Sequence, residues 1–453
     1  MSGVLSFTHP LIYSTHSTGI IDTHVHMNEP GGSRVGWETM AGATRAAAKG
    51  GVTMVVDMPL NSDPVTVTAR EVKQKLRIAK RQHVQVGVWG GLVPENARRP
   101  RALRGMIGAG ALGFKAFMID SGIDAFGAVG VDDLRAALPI IRDLNVPLLL
   151  HAELGGDDKT GEKENEIEKG TDKVPTKYGS WLSSRPAEME VRAIEAIVRL
   201  LDELVEENTF SKKPKPNFRV HVLHASSVEA VNAVEQAARR GLPITVETCP
   251  HYLMFAAEDI PDGATEYKCA PAIRDRRNND GLVEAVRDGR ISGVASDHSP
   301  SPASLKTRDF LASWGGISGI QYTLPALWES LARGGVDVTE SSADRDKLLL
   351  ALHRVLSSFP ARLLGMHHLK GRIADGYHAD FVVWDPKAVY DASCSQTQTL
   401  TPYSSASMRG RVLATVVRGK FVYDVAHEGG GEVFSCGKTA ISSAWLRPHP
   451  RPT

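Results

Sequence analysis

The sequence predicts an α/β protein, a (β/α)8 barrel carrying a small β-rich satellite domain. Three observations lead there. Eight short β-branched or apolar runs alternate with stretches whose apolar residues recur at helical spacing, the pattern of a closed parallel barrel rather than an open doubly wound sheet. Residues able to carry chemistry stand at the C-terminal ends of five of those runs, where barrel enzymes assemble their sites. The 453 residues exceed an average domain, and a barrel of about 250 residues with insertions and a satellite accounts for them.

The eight strands are expected at residues 20–24, 52–58, 84–89, 113–117, 147–151, 219–224, 243–247 and 291–297. Helical periodicity occupies 39–49, 131–144, 186–205 and 228–240 between them, which assigns 20–370 to the barrel. From 371 to 428 the texture changes to that of a β domain: 379–384 reads as a strand, and 411–417 and 421–425 flank Arg418-Gly419-Lys420 as the arms of a hairpin. Residues 429–453 are rich in Gly, Ser and Pro and read as a loose tail, and 1–19 as a short segment without strands of its own. Residues 155–180, charged and Gly-containing, follow the fifth strand and are expected to rim the catalytic face as a lid.

Lys plus Arg total 53 against 52 Asp plus Glu, a net of +1, so no long-range field selects for nucleic acid or an acidic membrane surface. The expected partner is a small molecule. Cys249, Cys269, Cys394 and Cys436 lie far apart with no CxxC pair, which suits neither a disulfide framework nor a thiolate zinc site and points to a reducing compartment. The first twenty residues lack a basic stretch followed by an apolar one, and nowhere do 18 apolar residues run uninterrupted. A soluble, cytoplasmic protein is the expectation.

Asp22-Thr23-His24-Val25-His26 closes the first strand, and because side chains alternate along a strand, His24 and His26 point the same way. Such a pair alone is more often unremarkable than metal-binding, but the other strand ends supply Lys115, His151, His224 and Asp297. Four imidazoles and a carboxylate are N and O donors that suit zinc. Lys115 does not belong there unmodified, since an ammonium has three donors and no acceptor. Two readings stay open for it: a desolvated amine that takes up carbon dioxide to form a carbamate bridging two cations, or a lysine paired with a carboxylate at the rim. On the first reading the cofactor is two Zn2+ per chain, bridged by carboxylated Lys115 and a hydroxide, which is the nucleophile because metal binding lowers the pKa of water to about 7. Asp297 then holds one ion and carries the nucleophile's proton to the departing amide nitrogen.

Other features take structural readings first. Gly108-Ala109-Gly110-Ala111-Leu112-Gly113 satisfies GxGxxG but precedes a strand instead of linking strand to helix, so it reads as a tight connection and not a dinucleotide site. His221, three residues before His224, falls on the opposite face and reads as a packed or hydrogen-bonded histidine. His251, His298 and Ser299 follow strand ends and either touch substrate or order their loops. His367 and His368 read as surface.

Taken together, these residues resemble the hydantoinase, dihydroorotase and allantoinase branch of the amidohydrolase superfamily, over about residues 20–423. His24 and His26 are similar to that branch's first two metal ligands, Lys115 to its carboxylated lysine, His151 and His224 to its next ligands, and Asp297 to its last. Asn28-Glu29-Pro30-Gly31, residues 113–118 and 247–253, Lys268-Cys269-Ala270-Pro271 and residues 296–300 resemble the allantoinases in particular. The resemblance implies a binuclear zinc hydrolase that opens the ring of (S)-allantoin to give allantoate in purine degradation, assembled as a homo-oligomer, a tetramer. It also implies substrate contacts at Asn28, Ser299 and His251. Dihydroorotases carry an arginine two residues after the second histidine to pair with a substrate carboxylate; Asn28 stands there, able to hydrogen-bond a neutral ring but offering no charged fork. Only 23 residues precede His24, fewer than in that branch, so the first strands of its β domain are expected to be missing. The alternatives are dihydropyrimidinase or hydantoinase activity and, from another class, a non-catalytic homologue acting as an interaction protein, against which retention of all six ligand positions argues.

Overall fold

A computed structural model of the chain describes residues 15–34, 36–155, 174–206, 215–333, 343–390 and 399–425. After a short strand β1 (Thr15–Thr18), the barrel strands follow: β2 (Ile20–Val25), β3 (Val52–Asp57), β4 (Gln85–Val88) continued by β5 (Gly90–Gly91), β6 (Phe114–Phe117), β7 (Leu148–His151), β8 (Val220–Val222), β9 (Ile244–Thr248) and β10 (Gly293–Val294). They form two parallel ladders, β2-β3-β4 and β5-β6-β7-β8-β9-β10. The ladders join where Trp89 interrupts the third strand: its amide donates to the Asp57 carbonyl at 2.9 Å, and the Leu112 amide to the Val88 carbonyl at 3.0 Å. The ring closes where the His26 amide donates to the His298 carbonyl at 2.7 Å and Val25 bridges His298 in parallel. Strands β2, β3, β4, β6, β7 and β8 are buried at every position, which is why they read in sequence as nearly continuous apolar runs.

All eight expected strands occur, most within a residue or so of their sequence pattern and two of them cut well short of it. The sixth stops at Val222 and the eighth at Val294, because His224 and Asp297 take left-handed backbone conformations, φ +37° and +46°, that cannot continue a ladder. The helices follow the periodicity closely. Met40–Lys49 begins one residue after the expected start because Thr39 is its cap, the hydroxyl accepting from the Gly42 amide at 3.0 Å. Val131–Leu144 matches its pattern end to end, Glu188–Glu206 lies within two residues of it, and Ser227 caps Val228–Arg239. The GxGxxG stretch is the connection it resembled: helix Pro100–Ala109 terminates on Gly110 at φ +119° and feeds β6.

The satellite sheet is antiparallel in the order β1, β11 (Phe381–Tyr390), β12 (Met408–Val417), β13 (Lys420–Asp424). Residues 1–19 were expected to add no strand; instead Thr15–Thr18 pairs with residues 381–384. Four residues suffice for an edge strand, and the Gly19 amide, donating to the Asp380 carbonyl at 2.9 Å, carries the chain from that edge straight into β2. Arg418 and Gly419, at φ +50° and +75°, make the two-residue turn of the expected hairpin. The sheet docks on the barrel through Trp328, whose indole donates to the Pro386 carbonyl at 2.9 Å and meets Trp384 edge-on at 5.1 Å. Most of the expected lid, residues 156–173, lies outside the described residues, as do the expected tail, Cys394 and Cys436. Cys249 and Cys269 are buried free thiols. No described helix is long and apolar enough to cross a membrane.

Candidate metal centre

The C-terminal ends of β2, β6, β7 and β8 and the turn after β10 bring the six sequence-marked side chains to one place, all of them buried. One oxygen of Asp297, Oδ1, lies 3.2 Å from His24 Nε2 and 3.3 Å from His26 Nε2, a compact group able to hold a cation. His151 Nδ1 and His224 Nε2 face each other at 3.0 Å, and the His224 ring lies 5.2 Å from that of His24. Lys115 Nζ sits 4.5 Å above the Phe117 ring, and Phe117 stacks on His151 at 4.4 Å.

Burial sets the charge states. It pushes His26 and His151 down to about 4 and His224 further, the neighbouring His151 and Lys115 adding to the effect, so these rings are neutral near pH 7 and have lone pairs to give. Burial also pulls Lys115 down to about 7, against the attraction of Asp297 and Glu247. For Asp297 burial favours the protonated acid, but His24 and His26 outweigh it and hold the carboxyl well below the usual range. Buried polar atoms are ordinarily satisfied, yet His24 Nε2 and Lys115 Nζ have no hydrogen-bond partner among the described residues. Imidazole nitrogens and a carboxylate oxygen converging on unsatisfied buried atoms suit a divalent cation.

The amidohydrolase family model matches residues 17–422. The chain belongs to the amidohydrolase family. Within it this amidohydrolase lies in the allantoinase and hydantoinase branch. It is 38% identical over 438 residues to the allantoinase of Arabidopsis thaliana, covering 94% of this chain and 80% of that one. It is likewise 38% identical over 432 residues to the allantoinase of Saccharomyces cerevisiae, covering 94% and 86%. It superposes with a TM-score of 0.77 and 25% identity on the L-hydantoinase (dihydropyrimidinase) of Arthrobacter aurescens, covering 94% of this chain and 88% of that one.

The amidohydrolase also carries site residues that the sequence pattern did not single out. Glu247, at the end of β9, accepts from His24 Nδ1 at 2.7 Å and from His221 Nε2 at 3.0 Å. Burial alone would raise Glu247, but the bonds from His221 and His24 hold it down at about 2. His221 is thus a hydrogen-bonded histidine off the cation group, as its place on the strand implied. Glu153 accepts from His151 Nε2 at 2.6 Å and from Arg185 at 2.6 Å. A signal for Glu153 existed, since it follows His151 by two as His26 follows His24. Glu247 stood in view as the polar end of the seventh run. Asn61 had only its turn-like surroundings to mark it.

A cleft of about 1380 Å³ opens over these groups, with Asn61, Phe117, Trp181, Ser299 and Trp314 on its walls. Of the three expected substrate contacts, Ser299 lines this cleft, and its hydroxyl accepts from Asn61 Nδ2 at 3.1 Å. Asn28 and His251 do not line it. Asn28 is buried, its Nδ2 donating to the Asn61 carbonyl at 3.2 Å and its Oδ1 without a partner among the described residues. His251, in the short helix Pro250–Met254, is buried close enough to Asp297 and His24 to feel their charges, and neither of its ring nitrogens has a hydrogen-bond partner among the described residues. His298 orders loops: its Nδ1 accepts from the Gly319 amide at 3.1 Å, which leaves Nε2 to donate to Glu38 at 2.6 Å. His367 is exposed and His368 half-buried. Non-glycine residues in the left-handed region include His224, Asp297 and Asn61, strain that here coincides with the site.

Proposed function

We propose that the protein hydrolyses the ring amide of (S)-allantoin to give allantoate, with two divalent cations, zinc by donor type, held by His24, His26, Lys115, His151, His224 and Asp297. The convergence of these six buried side chains beside one cleft carries the reading, and the allantoinase relatives supply the substrate class. Hydrolysis of a cyclic amide is the chemistry. His24, His26 and Asp297 make one half of the holding group, and His151 with His224 the other. Lys115 joins the halves: its neutral amine attacks carbon dioxide, an N–C bond forms, one proton leaves to solvent, and two carbamate oxygens replace an ammonium. Its complete burial and unpartnered Nζ support this over a rim ion pair.

When bound, the cations supply water acidic enough to ionise near neutral pH and polarise the scissile carbonyl. Asp297 takes the proton as the new C–O bond forms and returns it to the ring nitrogen as the C–N bond breaks, which makes that nitrogen a competent leaving group. Asn61 and Ser299 offer an amide and a hydroxyl to the ring and its ureido arm. The arginines and Lys268 on the cleft wall are already engaged, Arg185 with Glu153, Arg192 with the Leu154 carbonyl, Arg199 with Glu195 at 3.8 Å and Lys268 with the carbonyls of Leu311 and Ser313, which favours a neutral substrate over a carboxylate.

The similarity to the L-hydantoinase favours ring opening of hydantoins or dihydropyrimidines as a second reading. Parallel kcat/KM measurements on allantoin, hydantoin, dihydrouracil and dihydroorotate decide it: allantoin is expected to lead by about 10⁴-fold, the scale on which a site built to hydrogen-bond its substrate rejects analogues that lack the bonding group. Faster turnover of dihydrouracil overturns the substrate assignment. Lys115→Ala is expected to lose metal and activity together, with short carboxylic acids restoring part of both. Undiminished turnover and metal content in that variant would refute the bridging role.

A further inference from the structure

We infer that the two halves of the metal centre are held by separate hydrogen-bonded supports, so that either ion position can be weakened while the other keeps its affinity. The inference rests on the two-ion reading above, and its ground is where one histidine of each half, His24 and His151, spends its second ring nitrogen.

On one side His24 gives Nδ1 to Glu247 Oε1 at 2.7 Å, and His221 gives Nε2 to Glu247 Oε2 at 3.0 Å. The chain ends on Thr245, whose hydroxyl donates to His221 Nδ1 at 2.9 Å. His24, Glu247 and His221 are all but inaccessible to solvent, and among the described residues no lysine or arginine hydrogen-bonds to them. This support fixes the His24 ring with Nε2 toward Asp297.

The other side is built from different residues and different chemistry. His151 gives Nε2 to Glu153 Oε2 at 2.6 Å, and Arg185 donates to that same oxygen at 2.6 Å. The backbone carbonyl of Arg185 accepts from Arg274 at 3.1 Å, and Arg274 pairs with Glu190 at 2.8 Å. Glu190 in turn accepts from both the amide and the hydroxyl of Ser226, each at 2.8 Å, two residues beyond His224. Two carboxylates and two guanidiniums therefore grip His151 directly and the segment that follows His224. This support presents His151 Nδ1 toward His224. Among the described residues no side chain belongs to both supports; they meet along β8, which carries His221 and leads into His224, and at the backbone just beyond it, where the Ala225 amide donates to the Glu247 carbonyl at 2.8 Å. They also differ in access, for the Arg185 side chain lies on the cleft wall and is 19% exposed, whereas Glu247 and His221 are sealed.

The test counts ions. Apo protein is titrated with Zn2+ against a competing chelator in bicarbonate-containing buffer, for wild type, Glu247→Gln, Arg185→Met and the double variant, with circular dichroism and apo melting temperatures as folding controls. Glu153→Gln stands in for Arg185→Met should the latter misfold. Wild type is expected to bind two ions tightly. Each single variant is expected to keep one tight ion and hold the other about 10- to 100-fold more weakly, the usual effect of losing an outer partner of a ligand. The double variant should retain no tight ion. If either single variant weakens both ions alike, if it weakens neither, or if the double variant keeps one tight ion, the supports are not separate and the inference falls. A wild-type count other than two overturns the two-ion reading and this inference with it.

Discussion

Acidification of the metal-free protein is expected to destabilise it, and the structure gives the size of the effect. His26, His151 and His251 are each pushed by burial from 6.5 down to about 4, so between those values the unfolded chain binds a proton that the native state refuses. The stability these neutral rings contribute is complete above about pH 6.5 and is lost as the pH falls toward 4, at up to about 1.4 kcal/mol per pH unit for each ring. Asp22 and Asp57 act in the opposite sense. Burial raises both from 3.8 to about 6, so the native state takes up their protons first and gains stability as the pH falls through that range. By pH 5 each of the three histidines has lost about 2 kcal/mol and each of the two aspartates has returned about 1 kcal/mol, and His224 and His378, also lowered by burial, add to the loss, so the net is a loss of several kcal/mol. Against a usual total of about 5–15 kcal/mol this lowers the melting temperature by several degrees. Calorimetry of chelator-treated protein between pH 7 and 5 measures it, with His251→Gln as the internal comparison because His251 stands outside the ligand set. That variant should show a visibly shallower pH dependence. A melting temperature that stays flat or rises toward pH 5, or an unchanged slope in His251→Gln, would refute the reasoning.

Two further substitutions probe the cleft wall. Gly316 has φ +117°, and a Cβ there would lie 2.5 Å from the Ser299 carbonyl oxygen, so Gly316→Ala is expected to displace Ser299 and raise KM several-fold while circular dichroism stays native; an unchanged KM would show that Ser299 does not position substrate. Asn61 at φ +68° hydrogen-bonds Ser299, so Asn61→Gly and Asn61→Ala should raise KM equally, but only the alanine variant should lose an additional ~1–2 kcal/mol of stability to backbone strain. Equal melting temperatures for the two would mean that the left-handed conformation is not enforced.

Much of the centre is legible in sequence because local periodicity encodes facing. Alternation along a strand aims His24 and His26 together, and the rule that barrel chemistry gathers at strand C-termini marks Lys115, His151, His224 and Asp297. The same alternation, carried two residues past His151, would have marked Glu153. What periodicity cannot convey is which distant residue takes up the second nitrogen of His24. Glu247 reaches His24 across 223 positions, and only closure of the ring through His26 and His298 brings β9 and β2 into register for that bond.

The sequence by itself determined the barrel, the alternation that closes it and the six convergent side chains, since each follows from residue type and spacing within one element. Tertiary structure alone decided the rest. It paired Thr15–Thr18 with a strand more than 360 positions away. It set Asn61 on the cleft wall and buried Asn28 and His251. It divided the supports of the metal centre into one sealed chain and one that reaches the cleft. The physical reason is common to all four: contacts between separate elements depend on how those elements pack, and packing is a property of the closed chain that no local pattern records.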